Sequence, residues 1–307
     1  MRLVTNVSIV ILHYNTPKET HSCLTSLRSV QLPKGKVSIV VVDNASRESF
    51  ELTNSEKLQG VLMVRSESNL GFSGGNNLGV QYAIEQFNSE FICLLNSDTQ
   101  VKPDFLQHLV HYFTAHPKVG AVCPLIYFEK GYEHHKHSYS PSERGNVIWY
   151  GGGSIDWRNV HAFHKHVDEV DRGQVTDSHD EAFLTGCCMV IRREVLEKVA
   201  GFDDRYFLYL EDVELSVRIQ RAGYALGLCV ESHVWHANAG SSGGAGSQLH
   251  LYYQTRNRLL FFWSYATNRQ KLTVLRWISQ IVLSGKPIER KALVHAILNR
   301  YGKETAI

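Results

Sequence analysis

The chain has 307 residues, 43% hydrophobic and 20% charged, with a formal net charge of +2. That length suits one large α/β domain with an appendage or two small domains, and the near-neutral balance excludes a general affinity for nucleic acid. Its six cysteines include no C-x-x-C pair and several lie in apolar runs, which excludes a disulfide framework or a cysteine zinc site.

Residues 7–12 (VSIVIL) are β-branched and apolar, the pattern of a strand buried on both faces. Thr16-Pro17-Lys18-Glu19 then reads as a capping box with proline at the first helical position, and Cys23, Leu24, Leu27 and Val30 recur at helical spacing. A second buried strand over 37–42 ends at Asp43, and a third is expected at 61–64. Val80, Ala83, Ile84 and Phe87 mark a helix, 91–95 a strand, and Phe105, Leu106, Leu109, Val110 and Phe113 another helix. This alternation predicts an α/β fold, a mostly parallel sheet flanked on both faces by helices. Ligands of such sheets gather at the carboxyl ends of the strands, where His13-Tyr14-Asn15, Asp43-Asn44 and Asn96-Ser97-Asp98 fall. Residues 1–100 therefore read as a Rossmann-like nucleotide-binding half.

Between 127 and 180 the pattern loosens into hairpins and loops, with Gly151-Gly152-Gly153, Trp149 and Trp157 as landmarks. Order returns at 183–191, followed by a helix over 193–199 that Gly201 would end. Residues 211–222 alternate like a strand at Val213, Leu215, Val217 and Ile219. The Glu214–Arg218 spacing and the Gly223 stop favour a helix with acids at its N-terminus. Residues 241–247 form a Gly/Ser loop, and 252–265, 274–282 and 292–298 read as helices.

From 265 to 307 eight Lys/Arg stand against two Glu, a local +6 beside −4 for the rest. That surplus fits a solvated helical face or contact with an acidic membrane surface. The N-terminus lacks a signal-peptide layout and no apolar run approaches 18 residues, so a cytoplasmic protein is expected.

Seven motifs occur in order: VSIVILHYNTP, VVDNAS, NLGFSGGNNLG, LLNSDT, TGCCMVIRREVLEKVAGFD, YFLYLEDVELSVRIQRAGY and VWHANAGSS. Together they resemble glycosyltransferase family 2, the inverting group with the GT-A fold, and its bacterial rhamnosyltransferase-like branch. The resemblance covers roughly residues 7–258. It implies a GT-A domain over 1–248, with the acceptor and catalytic half at 101–248, and a helical, basic extension at 249–307. It also implies transfer from a nucleoside-diphosphate sugar with Mg²⁺ or Mn²⁺. The branch suggests rhamnose on dTDP, while related sequences use UDP-sugars. The acceptor would be a saccharide or a lipid-linked saccharide in cell-surface polysaccharide synthesis. Peripheral attachment to the inner face of the plasma membrane would follow from such an acceptor, with Trp263 and Trp277 inward and basic residues at the rim.

The same resemblance distributes roles. Asp212 corresponds to the base that deprotonates the acceptor hydroxyl, with Glu211 supporting it. Asp98 stands at the metal position of the D-x-D signature, where Asn96 replaces the other acid, and His236 approaches the metal or diphosphate. Asp43 would contact the nucleobase. Tyr14, Asn15, Asn69, Gly71, Asn76, Asn77 and Asn96 would line the donor, and Arg256 would neutralise its diphosphate. Many relatives carry arginine where Asn76 stands. The loop at 239–247 would close over the donor. Each role has a plainer competitor: a turn for Asp43 and Asp98, macrodipole stabilisation for Glu211 and Asp212, a structural imidazole for His236, a solvated helix for Arg256. The histidine runs at 134–137 and 161–166 read as exposed loops. The alternatives are a non-catalytic nucleotide-sugar-binding or scaffold protein and a sugar nucleotidyltransferase. The latter would carry a Gly-rich phosphate loop where this chain has HYNTP. A Rossmann oxidoreductase would need a G-x-G-x-x-G turn that the first strand lacks.

Overall fold

A computed structural model describes residues 5–32, 35–238 and 246–304. The first half alternates β1 (Thr5–His13), α1 (Pro17–Leu27), β2 (Gly35–Asp43), α2 (Asn54–Leu58), β3 (Leu62–Arg65), α3 (Gly71–Phe87) and β4 (Phe91–Asn96). Strands β1 to β4 are parallel neighbours in the order β3-β2-β1-β4. Ile9, Val10, Ile11, Val40, Val41 and Val42 are fully buried, because helices cover both faces of this part of the sheet.

The second half adds β5 (Thr99–Val101), α4 (Phe105–Ala115), β6 (Val119–Phe128) and β7 (Ile148–Tyr150), then the hairpin β8 (Gly153–Asp156) and β9 (His161–His164). After these come β10 (Cys188–Arg192), α5 (Arg193–Val199), α6 (Glu211–Arg221) and β11 (Ala225–His236). Strand β10 runs antiparallel between β4 and β6, and β11 continues parallel to β6. Six of the nine strands in the large described sheet therefore run one way, with β5, β7 and β10 reversed. Helices α7 (Gln248–Tyr265), α8 (Asn268–Ser284) and α9 (Pro287–Ile297) follow. Phe261 and Phe262 of α7 are fully buried in the same core as the sheet strands, with Trp157 stacked 5.7 Å from Phe261.

Several local expectations are corrected. Thr16 precedes α1 but makes no side-chain cap; its hydroxyl lies 3.3 Å from that of Ser97. The glycine-rich stretch is the body of α3 and not a loop before it. A Cβ at Gly79 would stand 2.4 Å from Val10 and one at Gly75 2.4 Å from Leu12, so small residues let this helix lie against β1. Helix α5 ends through Ala200 in the left-handed region, one residue before Gly201. The long strands β6 and β11 were not legible: Pro124 interrupts the first pattern, and the second changes register between Cys229 and His233.

Candidate active site

Strand register builds one wall of the cleft. β5 pairs antiparallel with the end of β11, opposing Thr99 to His236, so Asp98 arrives beside the histidine. The Ala237 N–H donates to the Asp98 carbonyl at 2.9 Å, and His236 Nε2 lies 3.1 Å from Asp98 Oδ1. His236 is 4% exposed, its Nδ1 has no hydrogen-bond partner, and the Trp149 ring packs edge-on at 4.5 Å. Burial works against a charge on this imidazole. The adjacent Cys187 and Asp98 outweigh burial and hold its pKa well above the ordinary value.

The opposite wall is the start of α6. Glu211 and Asp212 sit in its first turn, where the helix dipole favours negative charge. Asp212 Oδ2 accepts from the Gly186 N–H at 3.0 Å and its Oδ1 from the Val213 N–H at 2.8 Å. Burial raises the pKa of this carboxyl, and the two amide donors pull it back. Glu211 has a buried Oε2 with no partner, and burial followed by repulsion from Asp212 raises its pKa strongly. Asp212 is thus the group of the pair equipped to hold the negative charge.

The two walls share one backbone. The Asn96 N–H donates to the Cys187 carbonyl at 2.8 Å, while the preceding Gly186 N–H holds Asp212. A Cβ at Gly186 would meet the Phe72 ring at 2.9 Å, which fixes glycine at this junction. The ladder between β4 and β10 therefore brings Asn96, near Asp98 in the chain, and Asp212 to adjacent residues of one strand end, with Cys187 also beside His236.

A strained turn raises the acid pair into place. Phe207, Tyr209 and Leu210 all have positive φ immediately before Glu211. The Asn257 amide donates to the carbonyls of Tyr206, Leu208 and Tyr209 at 2.6, 2.8 and 2.8 Å. Arg256 is 1% exposed. Its guanidinium donates to the carbonyls of Gly302, Arg205 and Tyr206 and lies 4.8 Å from the Tyr253 ring centre. Where a diphosphate contact was expected of Arg256, the structure has its guanidinium buried as an internal brace of the turn before α6.

Other sequence candidates also have structural work. Asp43 is fully buried, accepting from the N–H groups of Ser46 and Phe50 and pairing with Arg65, with no surface open to a nucleobase. Burial works to raise its pKa, and those donors outweigh it and keep the carboxyl below its ordinary range. These contacts are those of the turn reading. Asn76 is 2% exposed and donates back to the Phe72 carbonyl. Asn77 ties α3 to the Phe202 backbone, and Asn69 accepts from Asn44 and the Gly71 N–H. Gly71 has φ +75°, and a Cβ there would strike the Phe207 carbonyl at 2.3 Å. All four are engaged in local packing and hydrogen bonds around the start of α3. Tyr14 is half-buried and Asn15 exposed, the latter bonded to Ser46 and Arg47 across the strand ends. Most of the expected loop at 239–247 lies outside the described residues. Among the described residues no cluster of three His, Cys, Asp or Glu side chains forms a complete metal site.

Gly186, Cys187 and Trp149 are site builders that the sequence reading does not single out, although the TGCC and WYGGG runs carry the signal. Asn257 fits the family pattern beside Arg256, and the structure gives it the bracing of the turn.

The model of the family described as "Glycosyl transferase family 2" matches residues 8–200. The chain belongs to glycosyltransferase family 2. This family 2 chain is 25% identical to the "Low-salt glycan biosynthesis hexosyltransferase Agl10" of Haloferax volcanii, over 98% of its own length and 94% of that protein. It is 26% identical to an "N-acetylglucosaminyl-diphospho-decaprenol L-rhamnosyltransferase" of Mycobacterium tuberculosis, covering 67% of this chain and 68% of the relative. Its fold matches the solved GalNAc-T7 with UDP, GalNAc and Mn²⁺ at a TM-score of 0.66 and 18% identity, spanning 97% of this chain and 56% of that one. It also matches the Pyrobaculum calidifontis mannosyltransferase PcManGT with GDP-Man and Mn²⁺ at 0.55 and 15% identity, spanning 97% and 76%. The architecture is the GT-A type expected from the motifs.

Proposed function

We propose that this chain is an inverting, cation-assisted glycosyltransferase that moves a sugar from a nucleoside diphosphate to a saccharide acceptor during glycan assembly. One observation carries the reading: Asp212 and the Asp98–His236 pair converge on a single backbone junction, where the Gly186 N–H holds Asp212, the Asn96 N–H donates to the Cys187 carbonyl and Cys187 lies beside His236. In a single displacement the acceptor oxygen forms its bond to the anomeric carbon as the bond to the diphosphate breaks. The hydroxyl proton passes to Asp212, oriented by the Gly186 and Val213 amides. Burial and the neighbouring Asp212 raise the Glu211 carboxyl well above the ordinary range, so Asp212 is the member of the pair that ionises first.

The donor set fits a divalent cation, which would replace the proton that Asp98 and Cys187 favour on His236. Asp98 Oδ1 and His236 Nε2 are 3.1 Å apart, close to the spacing of adjacent ligands at about 2.1 Å on a six-coordinate ion. Asp98 and His236 would be the protein groups that hold it. Mg²⁺ or Mn²⁺ held there would offset the charge of the leaving group. A dTDP- or UDP-linked sugar is the donor class, with rhamnose the sugar suggested by the motif branch and by the mycobacterial relative's name. That name also makes a lipid-linked saccharide the preferred acceptor.

A panel of nucleotide sugars, incubated with Mg²⁺, Mn²⁺ or EDTA, tests this reading, with the anomeric configuration of the product assigned by NMR. The expected result is cation-dependent transfer, or slow hydrolysis, with inversion. Retention of configuration, or donor binding without turnover under every cation, would overturn it, the second outcome favouring a scaffold.

A further inference from the structure

Helix α8 is apolar on two sides. Val274 and Ile281 face the core, while Leu272, Leu275, Val282 and Leu283 are 67%, 49%, 56% and 80% exposed. The four exposed side chains share one helical face, in two pairs with exposed Ser279 between them. Exposed Arg269 and Arg276 flank it. Helix α9 repeats the pattern: Val294 and Ile297, with Leu298 just beyond, are 51%, 64% and 55% exposed, in line with exposed Arg290. Arg290 joins the two stripes, its guanidinium 3.4 Å from the Leu283 carbonyl. Trp263 on α7 is 44% exposed with the Lys271 ammonium 5.3 Å from its ring centre.

We propose that the outer faces of α8 and α9 form a docking surface for an anionic phospholipid bilayer, lying in its interface with the aliphatic stripes buried and the basic rim on the headgroups. No helix among the described residues is long and apolar enough to cross a membrane, so the surface lies on the bilayer and does not enter it as a span. Charge selects the occupant. The segment 265–307 carries +6 while the rest of the chain carries −4, a polarity that turns this end toward negative lipid. A two-fold contact between copies would set +6 against +6 and is disfavoured on the same ground. The proposal deepens the reading of a lipid-linked acceptor, because it keeps the chain at the bilayer where such an acceptor resides. It is tested without any sugar, so its failure is separate from failure of the transferase reading.

Flotation of the whole protein with vesicles of phosphatidylcholine, alone or mixed with phosphatidylglycerol, reads the surface directly. Wild type is expected to float with the anionic vesicles at low salt, at least ten-fold more than with neutral ones, and to be released at high salt. Leu272→Ser/Leu283→Ser/Ile297→Ser and, separately, Arg269→Glu/Arg276→Glu are expected to lose flotation with unchanged melting temperatures. Transfer to a soluble acceptor should persist in both. Absence of flotation at low salt overturns the proposal, as does equal binding to neutral vesicles. A wild-type dimer that the serine variant converts to monomer would assign the surface to a second copy instead.

Discussion

The two walls of the cleft are held in different ways. The Asp98–His236 wall is set by strand register: once β5 pairs with β11, ladder hydrogen bonds leave the two side chains no other place to meet. The Glu211–Asp212 wall hangs on a turn with three left-handed non-glycine residues, kept in shape by the side chains of Arg256 and Asn257 from a helix far along the chain. The first arrangement distributes its support over backbone; the second concentrates it in two side chains. Substitutions near the sheet wall should therefore change chemistry without changing the fold, whereas the turn wall couples chemistry to stability.

The largest expected effect is Asp212→Asn, which removes the base but keeps a side chain able to occupy the same place. Turnover should fall about 10²–10⁴-fold in initial-rate assays, with an unchanged melting temperature. Near-normal turnover would remove Asp212 from the role. Next is Asn257→Ala, far from the reacting atoms. It strips donors from three carbonyls of the strained turn, and unfolding in urea should show a loss of about 1–3 kcal/mol together with a lower kcat. A stable variant with full activity would show that the turn needs no brace.

The pH dependence separates the walls more gently. Burial lifts the Asp212 carboxyl above its usual range, and catalysis needs it ionised, so the acid limb of kcat/KM should lie above that of an ordinary carboxylate, activity falling as pH drops through it. Activity that persisted to the pH of a free carboxylate would place the base elsewhere. The smallest effect concerns Glu211, whose pKa in the folded state is raised above its unfolded value. The stability linked to it is fully present below the ordinary carboxyl pKa and is lost as pH rises through the raised one. Glu211→Gln should remove that loss and raise the melting temperature at pH 8 by about 2 °C or more. A melting temperature lowered at alkaline pH would contradict this.

Most of the first half was legible because buried parallel strands and amphipathic helices write strong, separate periods. The sheet wall was legible only in part. Asp98 and His236 were chosen one by one from motifs, and nothing in local pattern showed that β5 would bring them together across 138 residues of chain. One cause keeps the structural work of several polar residues out of sight in the sequence. Asp43, Asn76, Asn77 and Arg256 have polar groups that suit a ligand, but the same groups satisfy buried backbone, and a linear sequence does not show which carbonyls need a donor. The glycines of α3 misled for a related reason: they serve helix–strand contact at Val10 and Leu12 and not nucleotide approach.

The central claim is a division of labour, with Asp98 and His236 holding the cation and diphosphate and Asp212 acting only on the acceptor. Calorimetric titration of UDP and dTDP, with Mn²⁺ and with EDTA, into wild type, Asp98→Asn, His236→Ala and Asp212→Asn measures it most directly. The account predicts Mn²⁺-dependent nucleotide binding in wild type and Asp212→Asn alike, lost at least ten-fold in the other two. Equal binding in all four proteins, or loss confined to Asp212→Asn, would contradict it.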